Sequence, residues 1–275
     1  MPTSRALSSP LPELSPGLVA MFSRYGAGYL ARNFHAVRLS LTERPNRPDS
    51  RDLRGRPLIV YLNHPSWWDP MICLLLARRL FPERRHFGPM DAVGLEKYKF
   101  FAKLGFFGIE PGTARGARRF LEVSQGLLAQ PDTALWITAG GHFADPRERP
   151  VRLRPGLGAL IRRLDRAVVL PLAVEYPFWD ERFPEALAHF GEAFEVRGSE
   201  KDSDGWTALL EERLAATQDT LAREALARDP ALFEVLVGGR AGVGGMYDVW
   251  RRFRARLRGQ TFQPEHGKID LEVEV

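Results

Sequence analysis

The sequence predicts an α/β domain with a mainly parallel central sheet flanked by helices, preceded by an amphipathic N-terminal helical segment. Three observations carry this reading. Apolar runs of strand length at residues 58–62, 134–138 and 168–175 are nearly unbroken, as in strands covered on both faces. Stretches with apolar residues at helical spacing lie between those runs. Proline, glycine and charged residues mark the passages from one to the next, which is the punctuation of alternating strands and helices.

The 275 residues suit one large domain, or a domain with a small helical appendage, and a hydrophobic content of 44% allows a full core. The lone Cys73 excludes an internal disulfide and fits a reducing compartment. No run reaches the length of a spanning helix, and the N-terminus lacks the pattern of a signal peptide. A net charge of +5 points to an anionic membrane surface, a phosphorylated ligand or nucleic acid. No nucleic-acid motif accompanies the charge, so nucleic acid is not expected as a partner. There is no internal repeat.

Taken in order, residues 1–15 are rich in proline and serine and read as a loose arm. Leu18, Met21, Phe22, Tyr25, Tyr29 and Phe34 then recur at helical spacing beside Arg24 and Arg32, as in a helix lying in a bilayer surface or one packed on its own core. Residues 36–41 alternate as a strand, and 43–57 form a polar loop. The central run 58–62 follows, then a helix over 71–79 and a turn-rich basic link over 81–89. Residues 96–108 combine four Phe, one Tyr and three Lys, which suits a lipid interface or a buried helix with a wet lysine face. Thr113 is placed to cap a helix whose first turns carry Arg115, Arg118 and Arg119. Cations there oppose the helix dipole, so a bound anion would balance them. After the strand at 134–138 comes a charged loop with Arg147, Arg149, Arg152 and Arg154, either solvated or facing a diphosphate. A short helix over 155–164, the strand 168–175 ending at Glu175, a further strand over 190–196 and a helix over 204–227 complete the domain. Glycines at 238–245 read as a hinge, and a basic helix bearing Tyr247, Trp250, Phe253 and Leu257 suits an anionic lipid surface. The expected division is 1–45 for the arm and amphipathic helix, 46–237 for the principal domain, and 238–275 for the hinge, basic helix and tail.

The chemistry is read from Asn63-His64-Pro65-Ser66-Trp67-Trp68-Asp69-Pro70, a turn between a strand and a helix. At that spacing Asp69 can curl back to one imidazole nitrogen of His64, leaving the other as a base. A hydrolase triad would need a nucleophile on a G-x-S-x-G elbow, and none occurs; Ser66 lies too near His64 to serve. The nucleophile is therefore expected to be a hydroxyl of the substrate.

This stretch resembles the NHxxxxD motif of the glycerolipid acyltransferases, the 1-acyl-glycerol-3-phosphate acyltransferase superfamily. The resemblance covers roughly residues 55–200. It implies that His64 deprotonates an acceptor hydroxyl, with Asp69 orienting it, and that the acyl group arrives as a thioester of coenzyme A or acyl carrier protein. These are co-substrates; no cofactor and no metal are implied. The family's second motif supplies an Arg for a phosphate. Here Pro111 stands near that position, and Arg115 is the closest replacement. The third motif, usually apolar-Pro-Glu-Gly-Thr-Arg, falls on Ala139, Gly140 and Gly141, so its Glu and Arg are missing. The fourth resembles the run around Pro171. Asn63, Ser66, Trp67, Arg115, Gly140, Gly141, His142 and Glu175 are accordingly the candidate substrate-binding residues. The expected activity is O-acylation of a membrane lipid at the cytoplasmic face, by a peripheral protein with no spanning helix and with an anionic membrane surface, an acyl thioester and a lipid acceptor as partners. The missing Glu makes a bulkier lyso-lipid or glycolipid the expected acceptor. Two rivals stand beside it: a metal hydrolase built on His64, Asp69 and His142, and a membrane-binding homologue without catalysis.

Overall fold

The structure, a computed structural model, describes residues 11–42 and 55–241. The glycine run beyond 241, the basic helix after it, and the greater part of the N-terminal arm and of the 43–57 loop lie outside the described residues.

Six α-helices and nine strands are described, and the strands form one sheet. The first helix, α1 (Pro16–Asn33), leads into β1 (Ala36–Ser40). β2 (Leu58–Leu62) and α2 (Asp69–Leu80) flank the motif turn. β3 (Arg85–Asp91), α3 (Ala92–Lys97), β4 (Phe106–Ile109), α4 (Ala114–Leu128) and β5 (Thr133–Thr138) follow. Then come α5 (Gly156–Ile161), β6 (Ala167–Glu175), β7 (Glu185–Phe190), β8 (Phe194–Val196), α6 (Ser203–Ala227) and β9 (Phe233–Gly238). The order across the sheet is β4-β3-β5-β2-β6-β7-β1-β9, with β8 also on β6. The half from β4 to β6 is wholly parallel. β7 reverses direction against β6, β1 runs parallel to β7, and β9 closes the far edge antiparallel to β1. The expected mainly parallel α/β sheet is thus present.

β2 explains why the fold closes. Its five residues are all buried, and they serve two cores in alternation. Leu58, Val60 and Leu62 pack with Ile72, Leu76 and Ala77 of α2 on one face. Ile59 and Tyr61 pack with Phe120 and Val123 of α4, Leu160 of α5, and Trp206 and Leu210 of α6 on the other. Each such aliphatic side chain contributes about 1.5–3 kcal/mol on burial. Tyr61 satisfies its hydroxyl on the Leu210 carbonyl at 3.1 Å.

Pro171 lies in the interior of β6, where a missing N–H normally breaks a ladder. Its carbonyl accepts from Gly191 N–H at 3.1 Å, so its nitrogen faces the same side, toward the gap between β7 and β8. The neighbouring strand is interrupted there, and no donor is wanted.

Three segments differ from the sequence expectation. The link over 81–89 contains β3. Residues 96–108 are not one helix: they comprise the end of α3, a 3-10 turn over Lys99–Leu104 that stops at Gly105 (φ 100°), and most of β4. The strand expected over 190–196 is two, β7 starting earlier at Glu185 and β8 after a break. β1 belongs to the sheet's interior. Arg38 Nε donates to Glu185 Oε2 at 2.8 Å, and His35 Nδ1 lies 2.5 Å from Glu185 Oε1. These bonds tie β1 and the turn before it to β7. α1 packs on α2 closely enough that a Cβ at Gly26 would meet Met71 Cε at 3.1 Å.

Candidate active site

Three parallel strands, β5, β2 and β6, end side by side, with β2 between the other two. Ligands of such sheets bind beyond the carboxyl ends of the strands. Here those ends deliver the His64 turn, the Ala139–Ala144 turn and the pair Glu175-Tyr176.

Asn63 is the first residue past β2. Its Nδ2 donates to the Val174 carbonyl at 3.0 Å, and its Oδ1 accepts from Val174 N–H at 2.9 Å. The carboxamide thus replaces a backbone pair and extends the grip on β6 by one residue while the main chain turns away. On the other side Ala139 N–H donates to the Leu62 carbonyl at 3.2 Å, and Ala144 N–H to the His64 carbonyl at 3.0 Å. The turn is held from both neighbours.

His64 Nδ1 lies 2.5 Å from Asp69 Oδ2. A carboxylate only accepts, so Nδ1 carries the proton and Nε2 the lone pair. Nε2 has no hydrogen-bond partner among the described residues, and the His64 side chain is 19% exposed. Asp69 is fully buried (0% exposed), and it opens α2, where the helix dipole favours a negative charge. Two further donors reach it: Ser66 N–H at 3.2 Å to Oδ2, and Tyr176 O–H at 2.6 Å to Oδ1. The Ser66 hydroxyl accepts from Trp68 N–H at 3.3 Å, so it shapes the turn. Phe143 lays its ring against the imidazole, centroids 4.4 Å apart.

The other sequence-predicted residues fall around this pair or away from it. Gly141 adopts φ +67° and donates its N–H to the Thr138 carbonyl at 3.0 Å, so that donor is already engaged. The Gly140 N–H has no partner among the described residues. A Cβ at Gly140 would make ordinary contact with the Arg152 carbonyl, at 3.6 Å, and meet nothing else within 4 Å. His142 is exposed and its Nδ1 donates to the Gly140 carbonyl at 3.0 Å; it does not join His64 and Asp69. Among the described residues no three His, Cys, Asp or Glu side chains gather to hold a metal ion. Arg147, Arg149 and Arg152 each approach a carboxylate of the chain itself: Asp145, Asp219 and Glu211.

Glu175 sits at the end of β6 with Oε1 buried and unpartnered. Burial pushes its carboxyl up to about 7, against the opposing pull of Arg147. Thr113 caps α4 as expected, accepting from Gly116 N–H at 2.9 Å. Arg115 stands 84% exposed at the start of α4, 3.6 Å from Glu110. It lines an open groove of about 770 Å³ with Lys99, Arg118, Arg119 and Glu96, whose floor includes Ala92 and Leu95.

Trp67 and Trp68 begin a run of ring contacts. Trp67 touches Trp68 (4.3 Å), Trp68 touches Tyr29 (5.4 Å), and Tyr29 stacks on Tyr25 (5.8 Å). Tyr25 meets Phe22 (5.9 Å), which meets Phe100 (5.6 Å), and Tyr98 joins through Phe101. Met21, Tyr25, Trp67, Tyr98 and Phe100 are exposed along it. Two stretches separately suspected of a lipid interface therefore form one aromatic face beginning at the motif turn.

Sequence reasoning missed Tyr176 and Phe143. The position of Tyr176 directly after the β6 run was the only available signal for it, and nothing marked Phe143.

No protein-family model matches the chain, and no curated protein matches it. Among solved structures the chain is similar to the crystal structure of the 1-acyl-sn-glycerophosphate (LPA) acyltransferase, PlsC, from Thermotoga maritima. The two share 15% identity over 74% of this chain and 78% of that one, with a TM-score of 0.45. The chemical reading of the site therefore rests on its own geometry.

Proposed function

We propose that the protein is an O-acyltransferase that moves an acyl chain from a thioester of coenzyme A or acyl carrier protein to a hydroxyl of a membrane lipid. The observation that carries this is the His64–Asp69 pair, with Nδ1 engaged and, among the described residues, no partner on Nε2 and no protein nucleophile beside it. The Ser66 hydroxyl serves the turn. Cys73, on α2, has its thiol raised well above its ordinary value by burial and by the nearby Asp69, and stays protonated. The nucleophile then comes from the substrate.

In the proposed step, Nε2 takes the proton of the acceptor hydroxyl as its oxygen attacks the thioester carbonyl carbon. Asp69 stabilises the imidazolium that forms. Collapse of the tetrahedral intermediate breaks the C–S bond, and the departing sulfur takes the proton back from Nε2. One ester and one free thiol result, and His64 returns to its starting state. The Gly140 N–H is one of three backbone donors of its turn, with those of His142 and Phe143, that no acceptor among the described residues engages, and it is assigned to an oxygen of the reacting groups. Arg115 is assigned to an anionic group of a substrate in the α4 groove.

A membrane acceptor is favoured by the aromatic face. Its exposed rings and Met21 adjoin Lys97, Lys99 and Lys103, an arrangement that seats apolar groups in the headgroup region and keeps ammonium groups in water. No helix among the described residues is long and apolar enough to cross a membrane, and a peripheral placement accords with that; the cytoplasmic face is part of the proposal. The lack of a side chain at Gly140 favours a bulkier lyso-lipid or glycolipid over lysophosphatidic acid.

The test is thiol release and ester formation by the purified full chain. It would receive acyl-coenzyme A and a panel of lyso-phospholipids, lysophosphatidic acid and glycolipids in phosphatidylcholine vesicles with and without phosphatidylglycerol. Activity with at least one lipid acceptor, abolished by His64→Ala, is expected. Activity undiminished in that variant would sink the role of His64, and a clear preference for lysophosphatidic acid would sink the acceptor argument.

A further inference from the structure

Asp69 is a buried carboxylate that no Lys or Arg side chain among the described residues bonds. Besides His64 and the Ser66 N–H, its one partner is Tyr176, whose hydroxyl donates to Oδ1 at 2.6 Å from the far end of β6. We infer that Tyr176 is a positioning residue: it holds Asp69 by Oδ1 and draws off part of the negative charge that Oδ2 presents to His64.

This rests on the reading of His64 as the base. The geometry leaves little freedom to the arrangement. Asp69 has two oxygens and three donors, and the donors divide them so that Oδ2 faces His64 while Oδ1 faces away toward β6. The Tyr176 ring is packed against Phe34 at the end of α1 (5.7 Å), and Phe34 in turn takes Trp68 edge-on (4.9 Å, 72°). The phenol is thereby aimed at the carboxylate by ring packing independent of the hydrogen bond. Burial and the Asp69 carboxylate raise the phenol well above its ordinary value, so Tyr176 remains the donor over the working pH range. Two other titratable groups stand near this set: Cys73 on α2, which stays neutral, and Glu175, next to Tyr176 in the chain, whose carboxyl burial pushes up to about 7.

A donor on the far oxygen of a carboxylate weakens the field that its near oxygen exerts. Tyr176 places such a donor on Oδ1, opposite the oxygen that faces His64 Nδ1. Its loss should raise the basicity of His64.

The experiment is an NMR titration of the full chain labelled in its histidines, with His64 assigned from the signal missing in His64→Gln. Tyr176→Phe keeps the ring and removes only the hydroxyl. The expected result is an upward movement of the His64 titration midpoint by about half a unit to one unit, with a displaced Nδ1–H resonance. A second probe places 3-fluorotyrosine at position 176; its more acidic phenol should move the midpoint the opposite way. This arm also covers failure of Tyr176→Phe to fold. A midpoint that stays put or falls in Tyr176→Phe, or that fails to fall with fluorotyrosine, overturns the inference. The titration needs no activity. Absence of acyl transfer by the unaltered protein would defeat the proposed function and leave this result standing, and the reverse outcome would remove Tyr176 while leaving His64 in place.

Discussion

Asp69→Asn separates the charge of the site from its shape. The carboxamide is nearly isosteric with the carboxylate, and every contact of Asp69 can be kept. Its oxygen can accept from His64 Nδ1–H and Ser66 N–H, and its NH2 can donate to the Tyr176 hydroxyl, which turns from donor to acceptor. What disappears is one negative charge. On stability two effects oppose. Three charge-assisted bonds become neutral ones, a loss of about 1 kcal/mol each. Against this, a fully buried carboxylate without a cationic side chain carries a desolvation cost of several kcal/mol that the amide avoids. The net should fall within about 2 kcal/mol of zero, and the melting temperature should move by only a few degrees. On catalysis nothing offsets the change. The imidazolium formed during transfer loses its stabilising charge, and the turnover rate should fall by about 10²–10⁴-fold. Thermal unfolding and thiol release on the same preparation measure both. Activity near that of the parent would refute the role of the Asp69 charge. Strong destabilisation with proportionate loss of activity would reduce Asp69 to a structural residue.

Three other substitutions probe the surroundings. Glu175 has a raised carboxyl, so its contribution to stability is present at low pH and lost as pH rises through about 7. Glu175→Gln should therefore match the parent near pH 4 and exceed it at pH 8 in denaturant titrations, and parallel curves would refute the assignment. Gly158→Ala would place a Cβ 2.3 Å from the Ser203 carbonyl and from Thr207 Oγ1, where α5 meets α6, and should cost about 1–3 kcal/mol or more in unfolding free energy. Gly140→Ala meets only ordinary contact with the Arg152 carbonyl; its stability should be unchanged in the same titration, while transfer to the bulkier acceptors should fall relative to lysophosphatidic acid, and an unaltered preference would refute the acceptor argument.

The sequence was most legible where burial on both faces left an unbroken apolar run. β2, β5 and β6 could be read that way, and the His64 turn could be placed at the end of β2. β3 escaped because Gly88 and Pro89 are turn residues by composition and Arg85 reads as a surface charge. In the structure Gly88 and Arg85 have a positional reason. A Cβ at Gly88 would lie 3.1 Å from the Trp136 carbonyl, so the glycine permits close strand approach. Arg85 pairs with Asp132 at 2.9 Å at the strand's start. β9 was hidden by its partial exposure, and β7 by the polar residues Glu185 and His189, whose burial depends on partners distant in the chain. In the 96–108 stretch, Gly105 forces a left-handed stop that divides one aromatic run between a turn and a strand.

The site shows the same division between local and long-range information. The His64–Asp69 contact spans five residues, and the spacing alone disclosed it. The contact that completes Asp69 spans 107 residues and depends on the register of β6 against β2. That register pairs Leu62 with Leu172, and the Asn63 carboxamide prolongs it to Val174. A slip of one residue would turn every β6 side chain to the opposite face and carry Tyr176 away from Asp69. The same alternation sends Val174 into the core beside α2 and Ala173 into the one beside α6, so the two hydrophobic faces together fix the strand's position. The packing that makes β6 fully buried therefore also determines where the phenol arrives, and the core and the site share one constraint.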